Sequence, residues 1–188
     1  ITGTTAEMIA ALVTAETKVV VSDATVTITN TPTIAELNAI AAKTTGVVTA
    51  TLAANSLANL AALSTAGTDA ITITVNDADA TAVTAANLSA LGGKTAGVVT
   101  VSNEVAISGT TAEMIAALVT AETKVTASSS SLTISDTPTS AQLAALDNAT
   151  TGTITYSEGG SGGGGGGNND AITGTVAEVI ETLESKSS

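Results

Sequence analysis

The same nineteen residues occur twice in this chain, 106 positions apart. Residues 1–19 read ITGTTAEMIAALVTAETKV, and residues 107–125 differ from them only by Ser108 in place of Thr2. Repetition of this kind is typical of repeat proteins, in which each unit is one supersecondary element that packs on its neighbours. The sequence therefore predicts a stack of equivalent units rather than a fold built around one centre.

Each unit carries a signal for the start of a helix. A Ser or Thr is followed three residues later by Glu, Gln or Asn, which is the spacing of a capping box. Asn is shorter than Glu, so we expect its versions to be weaker. The pairs are Thr4–Glu7, Thr33–Glu36, Ser56–Asn59, Thr84–Asn87, Thr110–Glu113, Thr139–Gln142 and Thr175–Glu178. The residue after each pair recurs at intervals of 29, 23, 28, 26, 29 and 36 residues, so four units make the longer repeat.

Between the predicted helices, Val, Ile or Leu alternates with Thr. A period of two residues predicts strands with one buried face. The predicted strands are Thr25–Thr31, Val47–Leu52, Ile71–Val75, Val98–Ser102, Leu132–Thr137 and Thr153–Tyr156. The stretches TKVVVS (17–22) and NEVAISGT (103–110) are candidates for further short strands.

Strand, capping box and helix in alternation predict an α/β fold. We expect a right-handed solenoid of strand–helix coils, similar in architecture to a leucine-rich-repeat horseshoe, with a parallel sheet on one side and short helices on the other. In the alternative, the chain is an all-β solenoid whose helical segments are loops, but the capping boxes favour the first interpretation. Gly46, Gly97 and Gly152 follow helices, where a left-handed residue would turn the chain into the next strand.

Three segments follow from this pattern. Residues 1–156 form a repeat solenoid of about six coils. Residues 157–170 (SEGGSGGGGGGNND) are predicted to be a flexible loop or linker, because glycine supplies no apolar side chain to pack. Residues 171–188 are a further partial repeat with a strand and a helix.

The composition excludes several classes of function. The chain has no His and no Cys, which removes the usual zinc, iron and copper ligands and the common nucleophile–base pairs. Five Lys and Arg residues against seventeen Asp and Glu residues argue against binding to nucleic acid or anionic membranes. No apolar run approaches the length of a transmembrane helix. We therefore predict that the protein is not an enzyme and does not insert into membranes.

Two segments resemble a known class of repeats. The segments PTIAELNAIAAKTTGVVTA (32–50) and TAANLSALGGKTAGVVTV (84–101) are similar to repeats of giant cyanobacterial cell-surface proteins related to hemolysin-type calcium-binding proteins. The resemblance implies an extracellular, cell-surface location and a structural or adhesive role. In that family Gly-Gly-x-Gly-x-Asp nonapeptides bind calcium, and GGGNNDAI (165–172), which contains Asp170, matches that motif in part.

The exposed positions of the predicted strands carry a regular series of hydroxyl groups. Stacked at about 4.8 Å between strands, they would form two ladders on a flat sheet able to bind ice or a polysaccharide. The simpler interpretation is that Thr suits an exposed strand position. The candidate ligand-face residues are Thr27, Thr29, Thr49, Thr51, Thr72, Thr74, Thr100, Ser102, Thr133, Ser135, Thr153 and Thr155.

Carboxylates offer two further interpretations. Glu7, Glu36, Glu113 and Glu178 are explained by their capping positions and are not proposed as catalytic groups. Asp77 and Asp79, with Asp170, are candidate calcium ligands through their oxygen atoms, although Asp in loops commonly forms Asx-turns. No other cofactor is expected.

The sequence thus predicts an extracellular structural or adhesive repeat protein of a surface layer, matrix or filament. We expect self-association head-to-tail, or contact with neighbouring repeats of a longer chain, through Ile1–Thr5. The alternative is a module that binds a ligand on the Thr-rich sheet.

Overall fold

The computed structural model describes residues 1–16, 19–122 and 125–157, together with the backbone of 172–174. In this part the chain is an α/β protein with six helices and two largely parallel sheets. The α/β class with parallel strands is confirmed, whereas the strands divide between two sheets where one was predicted. The Thr175–Glu178 pair, the helix predicted after it and all but Ser157 of the glycine-rich segment lie outside the described residues.

The described helices follow six of the seven predicted capping pairs. They are α1 (Thr5–Met8, continued by a π-helical turn over Ile9–Val13), α2 (Ile34–Ala41), α3 (Leu57–Leu60), α4 (Ala85–Gly92), α5 (Thr111–Leu118) and α6 (Ser140–Asp147). In α1, α2, α5 and α6 both halves of the capping box form. In α3 and α4 only the N-cap hydroxyl binds the third amide. The Asn versions are therefore the weaker ones, as predicted.

The strands are short and mostly parallel. In chain order they are β1 (Thr2–Gly3), β2 (Val26–Ile28), β3 (Val48–Thr51), β4 (Ala70–Val75), β5 (Ala82–Thr84), β6 (Val99–Val101), β7 (Ala106–Gly109), β8 (Val125–Thr126), β9 (Ser131–Ile134), β10 (Ile154–Tyr156) and β11 (Ile172–Gly174). One sheet has the order β1-β2-β3-β4-β6-β8, and the other has the order β11-β10-β9-β7-β5. Neighbouring strands run parallel except β10 and β11, which are antiparallel.

All six predicted strands are present as β2, β3, β4, β6, β9 and β10, and NEVAISGT contains β7. The strand considered in TKVVVS does not form over Val19–Ser22. Strands β1, β5 and β8 were not predicted. Each is only two or three residues long, and β5 and β8 each have a single buried Val, Val83 or Val125, so an alternating pattern has no room to develop.

The core is one layer of aliphatic side chains that runs along the chain. The residue after each of the six described capping pairs is at most 2% exposed, and these residues are Met8, Leu37, Leu60, Leu88, Met114 and Leu143. Helices α4 and α5 each contact strands of both sheets, so these helices and the sheets enclose this layer between them. Tyr156 is the one aromatic residue of this layer in the described part of the chain, so close approach of the backbone segments is what fills most of the space.

We predict that Leu60→Asp unfolds this layer locally. Leu60 is 0% exposed, so the substitution places an unpaired charge in the core and should lower the free energy of unfolding by more than about 4 kcal/mol. Ala58→Asp, at an exposed position of the same helix, is the matched control and should leave the urea midpoint almost unchanged. Equal midpoints for the two variants would contradict this core assignment.

Candidate functional site

All twelve hydroxyl residues predicted to form a ligand face are exposed or half-buried. In the strands these hydroxyl residues alternate with buried residues: in β2 and β6 the three residues are buried, exposed and buried in turn. The hydroxyl groups therefore lie on the outer side of the sheets.

The two unbroken ladders expected on one sheet do not form. In the six-stranded sheet, β4 pairs with β3 through Ala70–Thr72 and with β6 through Ile73–Val75. Each change of partner moves the hydroxyl row along the strand. The rows of opposed hydroxyl residues are Thr2–Thr27–Thr49, Thr51–Thr72 and Thr74–Thr100–Thr126.

The five-stranded sheet carries one continuous row instead. Its opposed residues are Thr84, Ser108, Thr133 and Thr155, one on each of β5, β7, β9 and β10. The sequence prediction included only Thr133 and Thr155 of this row, because β5 was not recognised and Ser108 lies in NEVAISGT, which was only a candidate for an extra strand. Several hydroxyls in and beside the sheets also bind the neighbouring strand: Thr155 Oγ1 donates to Leu132 O at 3.0 Å.

The calcium candidates Asp77 and Asp79 serve as acceptors for backbone amides. Asp77 Oδ2 accepts the Leu57 amide at 2.7 Å, and Asp79 Oδ1 accepts the Glu104 amide at 3.0 Å. One carboxylate thus binds a preceding segment and the other a following one. No group of three or more His, Cys, Asp or Glu that could hold a metal occurs among the described residues, and Asp170 lies outside them.

Asn and Asp side chains bind the first residue of a helix in the preceding unit. Asn30 Oδ1 accepts the amide and the hydroxyl of Thr5 at 2.7 and 2.8 Å. Asp136 lies 106 residues after Asn30, and its Oδ1 accepts the amide and the hydroxyl of Thr111 at 2.7 and 2.6 Å. The Thr111 hydroxyl and amide lower the pKa of Asp136. Asp77 does the same for the Leu57 amide, so the role recurs in three units.

A second contact between units comes from the Thr of three of the four Thr-x-Gly sequences; in the fourth, Thr65 donates to Lys94 O, 29 residues later, at 2.7 Å. Thr95 is 1% exposed, and its hydroxyl donates to the carbonyls of Asp69 and Ile71 at 2.9 and 2.8 Å. The same oxygen accepts the amides of Ile71 and Gly97, both at 2.8 Å. The single hydroxyl proton is shared between the two carbonyls, and the two amides use both acceptor positions of the oxygen.

Two further units repeat this arrangement. Thr44 donates to Ala24 O at 2.7 Å, and Thr150 donates to Ser130 O at 2.6 Å. Each also accepts the amide of the glycine two residues later at 3.0 Å. Sequence reasoning missed these residues, although the recurrence of TTG, TAG and TTG after helices would have revealed them.

The glycines of these turns are required by close backbone approach. None of Gly46, Gly97 and Gly152 has the left-handed φ that was predicted. A Cβ added at Gly97 would lie 2.3 Å from Ile71 O, and one at Gly152 would lie 2.2 Å from Ser130 O. The prediction of left-handed residues was therefore wrong. Glycine is required at these positions because the backbone of the preceding unit occupies the space that a Cβ would fill.

A groove of about 400 Å³ lies between α3, α4 and the edge strand β5. Leu57, Val83 and Leu91 give it an apolar lining. Of its two charged residues, Lys94 donates to Ala61 O at 2.6 Å and Asp77 accepts the Leu57 amide. Both groups are thus used in contacts between units, and the groove is suited to apolar contact rather than acid–base chemistry.

Known proteins add no assignment: no family model matches the chain, and comparisons with curated proteins and with solved structures find no match. Among the described residues, no helix is long and apolar enough to cross a membrane.

We predict that Thr95→Val destabilises the protein although it preserves side-chain shape. The valine leaves the buried amides of Ile71 and Gly97 without their acceptor, which should lower the free energy of unfolding by about 2–4 kcal/mol. Thr100→Val, at an exposed strand position, is the control and should stay within about 0.5 kcal/mol of the parent in urea unfolding. Equal losses would show that the Thr95 hydroxyl is not essential.

We predict opposite effects for two neighbouring glycines. Gly97→Ala forces the Ile71 backbone away and should cost about 3 kcal/mol or more. Gly93 has helical angles, φ −67° and ψ −8°, and its Cβ would meet atoms no closer than 3.6 Å. Gly93→Ala should therefore raise the melting temperature slightly. A drop of the same size in both variants would contradict the close-approach explanation.

We predict that acid sensitivity resides partly in three carboxyls. Hydrogen bonds from the amides and hydroxyls of Thr4 and Thr33 lower the pKa values of Glu7 and Glu36, as those from Thr111 do for Asp136. Because folding lowers these pKa values, the stabilisation is complete above about pH 5, where the carboxyls of the unfolded chain are also ionised, and it is lost as the pH falls through the folded-state values.

The chain supplies the neutral replacements for this test. Gln142 already forms a capping box, and Asn30 occupies the position equivalent to Asp136. The variant Glu7→Gln/Glu36→Gln/Asp136→Asn should therefore fold normally at pH 7 and lose less stability than the parent between about pH 5 and pH 2. An unchanged acid unfolding midpoint would show that these groups do not control it.

Proposed function

We propose that this chain is an extracellular structural repeat protein: a right-handed solenoid of strand–helix coils that forms part of a surface layer, matrix or filament. The observation that carries the proposal is the recurrence of the same contacts between consecutive units. Thr44, Thr95 and Thr150 each bind a carbonyl 20–26 positions earlier in the chain. A protein whose units bind mainly their neighbours is suited to length rather than to catalysis.

The chemistry of the described residues supports a role without catalysis. The carboxylates of Glu7, Glu36 and Asp136 accept hydrogen bonds from amides and hydroxyls at the starts of helices, and Glu113 does the same. The location outside the cell, and the adhesive or structural role, rest on the resemblance to repeats of cyanobacterial cell-surface proteins.

Assembly of the purified chain tests the proposal. Electron microscopy and light scattering should show elongated particles that grow with concentration. The net charge of −12 opposes association. At low salt the repulsion between copies extends over roughly 30 Å, whereas at 0.5 M salt it is screened within a few Å. The particles should therefore grow more at 0.5 M salt. Leu60→Asp, which disrupts the stack, should not assemble. A monomer under all these conditions would contradict the filament role.

A second function is favoured by the continuous hydroxyl row of the five-stranded sheet. Four opposed residues, spaced by the distance between strands, present a regular surface to ice or a polysaccharide. Thr133→Lys should abolish inhibition of ice recrystallisation, or binding to a polysaccharide, if this row is the site. Thr72→Lys, in a two-residue row of the other sheet, should have a smaller effect. Equal activity of the parent and Thr133→Lys would exclude this role.

A further inference from the structure

The chain takes a longer path before α4 than before α3. The four residues 52–55 connect β3 to the N-cap of α3, whereas the eight residues 76–83 connect β4 to the N-cap of α4. The longer connection contains most of β5, and the shorter one contains no strand. Asn55 pairs with the end of β4, and the Leu57 amide donates to Asp77 Oδ2 at 2.7 Å, so α3 begins before the level of β5 is reached.

Strand β5 is consequently an edge strand, although it lies in the middle of the chain. It pairs with β7 on one side, and no described strand pairs with its other side. Thr81 O, just before β5, accepts the Ala106 amide of β7 at 2.9 Å. Successive residues of a strand direct their backbone groups to opposite edges, so Ala82 and Thr84 direct theirs to the unpaired edge.

All of β5 lines the groove of about 400 Å³ between α3 and α4. The large apolar side chains of the lining are Leu57, Val83 and Leu91, each at most 7% exposed. Natural edge strands commonly carry Lys or Pro, which discourage pairing with another strand, and β5 has neither. The groove therefore offers unpaired backbone groups beside an apolar surface.

We propose that this groove, called here the β5 groove, binds an uncharged, extended segment of a partner protein, which joins the five-stranded sheet as a further strand beside β5. Such an addition gains affinity from main-chain hydrogen bonds and specificity from pockets for alternate side chains. The site lies between two internal units. It therefore adds binding at the side of the stack to the proposed structural role and is independent of assembly at the ends.

The strand already paired with β5 indicates which segments fit. In β7, Ile107 is opposite Val83 and is 0% exposed, and Ala106 and Ser108 flank it. A segment with the same order, a β-branched aliphatic residue between two small ones, would place its aliphatic side chain on the apolar lining of the groove. The added strand would continue the parallel pairing that already joins β5, β7 and β9.

The charges of the groove favour a neutral segment. Lys94 Nζ donates to Ala61 O at 2.6 Å, and Asp77 Oδ2 accepts the Leu57 amide, so both charged groups are held by the protein backbone. A charge on the bound segment would lose its water beside the apolar lining, which is costly. The net charge of −12 also repels acidic segments and a second whole copy of the chain.

Titration of the full chain with a short peptide tests this site. The probe is the acetylated and amidated peptide Val-Ala-Ile-Ser-Gly-Thr, which has the sequence of residues 105–110. NMR follows the amides of Ala82 and Thr84 at a protein concentration where light scattering shows a monomer. We expect saturable shifts at these two amides, and about tenfold slower amide exchange when the free peptide is at about ten times its Kd.

Two exposed alanines that lie four residues apart give matched variants. Ala58 lines the groove and Ala62 does not. Ala58→Glu places a charge in the groove and should weaken peptide binding at least about tenfold, whereas Ala62→Glu should leave the Kd unchanged. Ala82→Pro removes an N–H at the unpaired edge and leaves the pairing with β7 in place, so it should abolish the shift at Thr84.

Three outcomes would overturn the proposal. The first is the absence of saturable shifts at Ala82 and Thr84, or an equal Kd for Ala58→Glu and Ala62→Glu. The second is equal binding of a peptide in which Asp replaces Ile, because the site would then not select a neutral segment. The third is a shift at these amides that grows with protein concentration in the absence of peptide, which would identify a second copy as the occupant.

Discussion

The hydrogen bonds that cross from one unit to the next are the interactions on which this structure depends. Thr95 shows why: its buried hydroxyl accepts the amides of Ile71 and Gly97, which would otherwise lose this acceptor, and it shares its one proton between two carbonyls of the preceding unit. A buried backbone group without a partner costs about as much as a hydrogen bond gains. Helices of four to eight residues are marginal alone, so each unit is stable because its neighbour supplies these partners.

Small side chains make this dependence stronger. The core has Tyr156 as its one aromatic side chain in the described residues, so aliphatic groups must fill a thin layer. Successive backbones approach closely at Gly46 and Gly97, where a Cβ would lie within 2.5 Å of a carbonyl oxygen of the preceding unit. The glycines and the buried threonines thus solve one problem together: the glycine lets the chains meet, and the hydroxyl satisfies the polar groups that the meeting buries.

Local signals predicted the elements well, but not their partners. A capping box is complete within four residues, so Thr33 and Glu36 identify the start of α2 without reference to the rest of the chain. The pairing of β4 with β3 through one half and with β6 through the other depends on how units stack, and this divided the expected hydroxyl ladders. The role of Gly97 was also outside local reasoning, because the atom that excludes a side chain belongs to Ile71.

The two copies of the repeated segment distinguish the effect of local sequence from the effect of neighbouring units. Thr4 with Glu7 and Thr110 with Glu113 form the same capping box, so the local interactions are preserved wherever the sequence occurs. The α-helix nevertheless extends through Leu118 in the second copy, whereas in the first it gives way to a π-helical turn after Met8. Helix α5 packs against α4, whereas α1 has no counterpart of α4 among the described residues. The longer helix is thus the one that has a neighbouring unit on this side. Sequence specifies where a helix begins in this protein, and the contacts between units influence how far it continues.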